Sequence, residues 1–318
     1  MTPFFSVVIP VYNRAAALGE ALSSVLAQSE QDFEIIVVDD GSTDDPKATV
    51  DAIADPRIRF IAQDNRGGGA ARNAGIRAAR GRFVAFLDSD DVFLPGHLVA
   101  MRALLEGTTR TAGYARVVVD RGDGRTMLKP PFALRAGEDM ATYLLCDRGF
   151  VPTITTVVPA DLAKAVLYAE DLREAEDTDF AIRLALRGCA FVMADAPGAI
   201  WRDRYDPGRQ SAGRSSARME AWLETMKPSI PRKAWRGGRG WAVAKGVAMR
   251  RPLRALAYYL SALIHGCYPP GLAGIVFLQI FLPGRLYRAV ADNAIGWLRI
   301  GLQPPPDKRV AIPTERPC

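Results

Sequence analysis

The run SVVIPVYN (Ser6–Asn13) is apolar and largely β-branched, with no alternation of polar and apolar positions. A strand wet on one face would alternate, so this run predicts a strand buried on both faces, as in a parallel sheet. Leu18, Leu22, Val25 and Leu26 then fall on one stripe of a helix over 15–28. EIIVVDDGS (34–42), IRFIAQ (58–63) and RFVAFLDSDD (82–91) supply three further strands. Ser42 or Thr43 is expected to cap the helix after the second strand. Between the third and fourth, NRGGGAARNAGIRAARG (65–81) reads as a glycine turn opening a helix. Strands alternating with helices at this rhythm predict an α/β fold: a Rossmann-like, mostly parallel sheet flanked by helices.

Ligands of such sheets bind beyond the carboxyl ends of the strands. Strand one ends at Tyr12 and Asn13, strand two at Asp39 and Asp40, strand four at Asp88 and Asp90, all on one expected rim. Asp88 and Asp90 stand two apart, so on a strand their side chains leave the same face. Two carboxylates held close favour a cation between them. Oxygen donors without His or Cys select a hard ion, Mg²⁺ or Mn²⁺. An ordinary acidic turn before the helix near Pro95 is the plainer alternative. Arg66 and Arg72 bracket Gly67, Gly68 and Gly69, where backbone N–H groups ahead of a helix offer an anion a docking point. GGG is not a dinucleotide fingerprint, and no P-loop lysine is present.

Further along, YARVVVD (114–120) and TITTVV (153–158) read as strands, RGDGRT as a hairpin-like turn, and DLAKAVL as a short helix. EDTDFAIRLALRG (176–188) is an amphipathic helix ending at Gly188, and FVMADAP (191–197) another strand.

In their order and spacing, SVVIPVYNR, VVDDGSTDD, GGGAARNAGI, FLDSDD and EDTDFAIRL resemble glycosyltransferase family 2 over roughly residues 4–205. The resemblance implies an inverting enzyme with the GT-A fold that uses a nucleotide-diphosphate sugar. It assigns Pro10, Tyr12, Asn13, Asp40, Arg72, Asp88 and Ser89 to the nucleotide sugar, with Tyr12 along the base and Asp40 on the base edge. Asp39 or Asp44 is the alternative for that last role. Asp90 is implied as the direct metal ligand, with Asp88 on the ribose or on the ion and its waters. Asp91 is expected to order the following turn, direct ligation being the alternative. Arg72 either meets the donor or anchors the acidic loop by ion pairing. Asp177 is implied as the base on the acceptor hydroxyl and Glu176 as a positioning group, whereas Asp179 reads as a favourable charge in a helix's first turn. Many relatives carry a histidine segment near the phosphates. Here WRDRYDPGRQSAGR holds none, which leaves Arg204, Arg209 or Ser211 for the diphosphate.

Composition fits this picture. The chain of 318 residues is 49% hydrophobic and 24% charged, the balance of a globular protein. Cys146, Cys189, Cys267 and Cys318 form no CxxC pair, which argues against a zinc site and for a reducing compartment. His97 and His265 are the whole complement of histidines, too few for a His-rich centre. MTPFFSVVIP lacks the basic leader of a secretory signal.

The net charge of +6 is uneven: residues 232–318 hold 14 Lys and Arg against 3 Asp and Glu, leaving the rest acidic. Residues 255–284 carry no charge at all and are flanked by Arg250, Arg251 and Arg254 and by Arg285 and Arg288. Gly266, Pro269, Pro270 and Gly271 divide this run into halves too short to span a bilayer. Basic flanks and Tyr258, Tyr259, Tyr268 and Trp297 predict interfacial helices, with a buried helical pair as the alternative. The expected organisation is a catalytic domain over 1–225 and a basic, apolar helical region over 226–318 ending in a disordered tail. The expected acceptor is a glycan or lipid-linked glycan of the cell-surface polysaccharide type. The expected location is cytoplasmic, peripheral at the cytoplasmic membrane face, with no nucleic-acid partner. A sugar nucleotidyltransferase and a catalytically decayed membrane scaffold are the competing readings.

Overall fold

A computed structural model describes residues 2–122, 126–147, 149–172, 174–203 and 216–282. Strands β1 (Phe5–Val11), β2 (Phe33–Asp39), β3 (Ile58–Ala62) and β4 (Phe83–Phe86) alternate with helices α1 (Ala15–Leu26), α2 (Pro46–Ile53) and α3 (Gly68–Ala78). β5 (Val92–Phe93), α4 (His97–Leu105), β6 (Thr111–Tyr114), β7 (Val117–Asp120), β8 (Thr126–Lys129) and α5 (Met140–Leu145) follow. Then come β9 (Val157–Pro159), α6 (Ala160–Val166), α7 (Glu176–Leu186), β10 (Ala190–Met193) and β11 (Ala199–Arg202). The last helices are α8 (Ser216–Met226), α9 (Arg232–Gly238), a π-helical turn Arg239–Val243, α10 (Ala244–Val247), α11 (Pro252–Ile264) and α12 (Pro270–Phe281).

Seven strands form the central sheet in the order β10-β6-β9-β4-β1-β2-β3. All its pairings are parallel except those of β9, which runs antiparallel to β4 and β6. β1 is an interior strand between β4 and β2, and Phe5, Val7, Val8 and Ile9 are wholly buried, as an unalternating apolar run requires. One sheet face packs on α1 and α4 through Val7, Ile9, Leu18, Leu22 and Leu98. The other packs through Val8, Ile36 and Phe86 on α3 and α6 and continues into the C-terminal helices. A smaller sheet, β5-β11-β7-β8, caps the carboxyl end of β4.

Three readings change. The strand read over 82–91 stops at Phe86, so Asp88 and Asp90 lie in the turn beyond it rather than on one strand face. YARVVVD is two strands, because the chain leaves the large sheet at Tyr114 and enters the small one at Val117. TITTVV begins as a 3₁₀ turn at Thr153–Thr155 and becomes β9 only at Val157. The Thr155 hydroxyl donates to the Ala115 carbonyl (2.8 Å) and that of Thr156 to the Pro152 carbonyl (2.7 Å). The first bond ties the segment to the distant loop after β6 and the second is local; together they hold the backbone in a turn against the strand preference of threonine.

Among the described residues no helix is long and apolar enough to cross a membrane. The uncharged run breaks at Gly266 (φ 63°) into α11 and α12. Arg285, Arg288, Trp297 and the expected tail lie outside the described residues.

Candidate active site

The turn leaving β1 passes through Asn13 at φ 50°, a left-handed conformation that asparagine tolerates better than most residues. Its side-chain oxygen accepts from the Thr43 N–H (2.8 Å), and its own N–H donates to the Ser42 hydroxyl (2.9 Å). The Ala15 N–H donates to Asp44 (2.8 Å), so the loop after β2 is sewn to the loop after β1. With Ser42 and Thr43 so engaged, the cap of α2 is Asp45, which accepts from the Ala48 N–H (3.2 Å). Pro10 is half-buried in β1, and the Tyr12 side chain, 46% exposed, lies open beside these loops.

Asp40 is buried at the carboxyl end of β2. It accepts from Gln63 Nε2 (2.7 Å) and from the N–H groups of Arg66 (2.9 Å) and Gly67 (2.8 Å). The anion cradled by the glycine turn is thus the protein's own carboxylate. Three of its roughly four lone-pair sites are spent, leaving one for a further donor. Gly41 (φ 79°) makes the approach possible, since a Cβ there would stand 2.9 Å from the Asn65 nitrogen. Asp39 turns instead to the Ser42 N–H (2.9 Å).

FLDSDD forms a tight turn in which the Asp91 N–H donates to the Asp88 carbonyl (3.1 Å). Ser89 and Asp91 are buried, while Asp88 and Asp90 are half-buried. Asp91 accepts from the Arg202 N–H of β11 (2.8 Å), which ties the turn to the small sheet. Buried Gln28 braces the following segment, donating to the Leu94 carbonyl (3.0 Å) and accepting from the Leu98 N–H (3.1 Å). Asp88 pairs with Arg72 (2.7 Å) and Asp90 with Arg14. As donors, Asp88 and Asp90 offer only oxygen. Oxygen donors of this kind suit a hard divalent cation. Among the described residues no group of three or more His, Cys, Asp and Glu side chains gathers at one point.

Arg72, on the first turns of α3, links the two acidic motifs. One guanidinium nitrogen meets Asp88 and another meets Glu176 (3.1 Å), while Cζ sits 5.5 Å from the centre of the Tyr168 ring. Burial works against its charge, but Asp88, Tyr168 and Glu176 outweigh burial and raise its pKa. Asn73, one residue on, donates to the Tyr168 carbonyl (2.9 Å) and accepts from the Tyr168 N–H (2.7 Å). That clamp fixes the segment leading into α7. Arg72 thus ion-pairs with both acidic motifs at once.

Glu176 and Asp177 open α7 behind Ala175, which adopts φ 58°. Asp177 lines a small, mostly apolar pocket of about 10 Å³, room for about one water, with Thr153, Thr156, Tyr168 and Phe180. Burial raises the Asp177 pKa, and the Asp88 charge adds to the rise against hydrogen bonds from backbone N–H groups and the pull of Arg72. Glu176 is raised chiefly by burial, with Asp177 and Asp88 contributing against Arg72. Asp179 faces elsewhere: it pairs with Arg183 and accepts from the Trp222 indole (2.9 Å), binding α7 to α8. His97 is sealed under β5, its pKa pushed down to about 3 by burial, so it is a neutral packing residue.

Tyr12, Asn13, Asp40, Asp88, Ser89 and Asp90 therefore lie on loops at the carboxyl ends of β1, β2 and β4, and Arg72 connects them to Glu176 beside Asp177. Arg204, Arg209 and Ser211 lie outside the described residues. Arg14, Tyr168 and Gln28 were not singled out from sequence. Arg14 had a signal, its place directly after the first motif, whereas Tyr168 and Gln28 had none.

Residues 6–153 match the family described as "Glycosyl transferase family 2". The amylovoran biosynthesis glycosyltransferase AmsB of Erwinia amylovora is 31% identical over 239 residues, covering 72% of this chain and 79% of that protein. The succinoglycan biosynthesis protein ExoO of Rhizobium meliloti is 48% identical over 122 residues, 38% of this chain and 34% of that protein. S. aureus TarS, solved with UDP-GlcNAc, superposes with a TM-score of 0.62 at 18% identity over 86% of each chain. The mannosyltransferase PcManGT of Pyrobaculum calidifontis, solved with GDP-Man and Mn²⁺, superposes at 0.50 and 17% identity, covering 83% of this chain and 87% of that one. These two share the fold. Motifs, topology and the match to AmsB over most of both chains agree, and the chain belongs to glycosyltransferase family 2, with the GT-A architecture.

Proposed function

We propose that this glycosyltransferase moves a hexosyl group, with inversion, from a nucleotide-diphosphate sugar to a hydroxyl of a glycan or lipid-linked glycan. The observation that carries the reading is Asp177: a carboxylate of raised pKa, one residue from the Glu176–Arg72–Asp88 chain that leads to the donor loops. In the transfer, the acceptor oxygen forms a bond to the anomeric carbon as the bond from that carbon to the diphosphate breaks. The diphosphate departs with the bonding electrons, and the acceptor proton passes to Asp177. Tyr12 stacks on the base, and Asp40 accepts from its edge with its remaining lone pair; Pro10, Asn13 and Ser89 shape the rest of the donor site. Asp90 and Asp88 would hold Mg²⁺ or Mn²⁺, which supplies charge neutralisation to the leaving diphosphate when bound. Arg14 and Arg72 neutralise these two acids in the ion's absence. Glu176, fixed by Arg72, orients the substrates.

The acceptor class draws support from the exopolysaccharide relatives, named for amylovoran and succinoglycan. The basic, apolar C-terminal helices support work at the cytoplasmic face of a membrane, where a lipid-linked acceptor would lie. Asp177→Asn keeps the shape of the site and removes the base. It is expected to lower kcat by about 10²–10⁴-fold with an unchanged melting temperature. Assay of nucleoside-diphosphate release from a panel of sugar nucleotides, with and without Mn²⁺, measures this, and NMR of the product reads its anomeric configuration. Full turnover by the variant would remove Asp177 from the base role.

A further inference from the structure

Helix α11 packs inward through Ala255, Tyr259 and Ala262, all buried. Four large aliphatic side chains point outward. Leu253 is 81% exposed, Ile264 79%, Leu260 41% and Leu263 38%. At 100° per residue these four lie within about one third of the helix circumference. Met249, 85% exposed, precedes them, and Phe277 of α12 is partly exposed as well. A solvated helix face carries charges, and this one carries none among those positions. A contiguous apolar face of this kind marks an interaction site.

The charges around it select the partner. Residues 225–282 contain nine Lys and Arg and no Asp or Glu. Arg250 and Arg251 stand exposed at the amino end of α11. Arg254 turns away to pair with Glu220 (2.9 Å), leaving the Leu face uncharged. A second copy docking face to face would bring like charges together. The remaining 283–318 segment is itself net positive, with 6 Lys and Arg against 3 Asp and Glu. An anionic lipid surface matches both features, because it takes apolar side chains into its acyl boundary and cations at its headgroups.

We propose that the outward face of α11, with Met249 and the Arg250–Arg251 pair, is an in-plane docking surface for an anionic bilayer. This rests on the membrane-face reading above and narrows it to one helix. The face juxtaposes side chains that enter the acyl boundary with guanidinium groups at its rim, and the π-helical turn Arg239–Val243 and α10 support it from behind.

The test uses the full chain and sedimentation with phosphatidylcholine vesicles, with or without phosphatidylglycerol. Wild type should sediment with the mixed vesicles and far less with phosphatidylcholine alone. Leu253→Asp with Ile264→Asp, both at highly exposed positions, should weaken binding about tenfold or more, at unchanged melting temperature and unchanged nucleoside-diphosphate release from a soluble donor. Arg250→Gln with Arg251→Gln should remove most of the phosphatidylglycerol dependence. Wild type bound to neither vesicle overturns the membrane reading and this proposal with it. Wild type bound, with both variants bound equally well, overturns the α11 assignment alone. A wild-type dimer that the Asp variant makes monomeric, at undiminished vesicle binding, assigns the face to a second copy and also overturns it.

Discussion

Asp177 can accept a proton only when ionised, so its raised pKa sets the acid limit of the proposed reaction. As pH falls through that pKa the base is lost, and kcat/KM should decline at a pH above the ordinary carboxylate range. Arg72 is one of the groups holding Asp177 down. Arg72→Gln removes that charge, so the Asp177 pKa rises further and the acid limb of kcat/KM moves to higher pH. Loss of the Asp88–Glu176 bridge also loosens both acids, and kcat above the limb should fall about 10²-fold. A pH–rate profile separates the two effects: were Arg72 only a packing residue, the limb would stay where it is in wild type. Asp40, Asp88 and Asp90 were legible from their places just beyond strand ends, whereas Glu176 and Asp177, at a helix start, came from the family resemblance. Their partners were not legible. Arg72 reaches Glu176 across 104 sequence positions, and no local pattern announces such a contact. Asp40 shows the same limit: its place at the strand end could be read, but not its bonds to the glycine turn.

At the scale of elements, α3 positions the chemistry because it can approach β1 closely. Gly75 allows this, since a Cβ there would overlap the Val8 Cγ1 atom. Valine is branched at Cβ and has no long side chain to swing aside, so the helix itself must move. Gly75→Ala should therefore destabilise the protein by about 1–3 kcal/mol in urea titration, despite the better helix propensity of alanine. Val8→Ala opens the space again, so the double variant should lose less than the sum of the singles. Strict additivity would mean that the helix does not rest on Val8. Periodic elements such as α1, α7, β1 and β3 were readable within a residue or two, while the second strand was read three residues too long and the fourth five, because polar turns follow both. The small sheet was not, because its β5 has two residues and its β11 four, too short for a period to register. β9 was read as a strand, but its antiparallel direction depends on pairing that no single segment encodes.

At the scale of the molecule, charge divides the chain near residue 225, yet apolar packing runs across that point. Trp222, Leu223, Ala234, Val243, Tyr259 and Val276 belong to the same buried cluster as Val8, Ile36 and Phe86. The thiols of Cys146 and Cys267 both donate to the Lys233 carbonyl (3.5 and 3.3 Å), which clasps α9 between α5 and the α11–α12 turn. Gly237 and Gly238 let α9 lie directly on Leu145, Cys146 and Leu223. Asp179, within the second acidic motif, is held by Trp222 of α8, so α7 leans on a helix that itself packs against the C-terminal helices. A chain ending at residue 225 would uncover this seam, and burying one large apolar side chain contributes about 1.5–3 kcal/mol. Several such side chains outweigh the usual margin of about 5–15 kcal/mol. The truncated chain should therefore aggregate or melt well below the full protein, and calorimetry of residues 1–282 should give one cooperative transition. Two independent transitions, or a truncated chain as stable as the whole, would mean that residues 226–282 are an appendage rather than part of the core on which Asp177 depends.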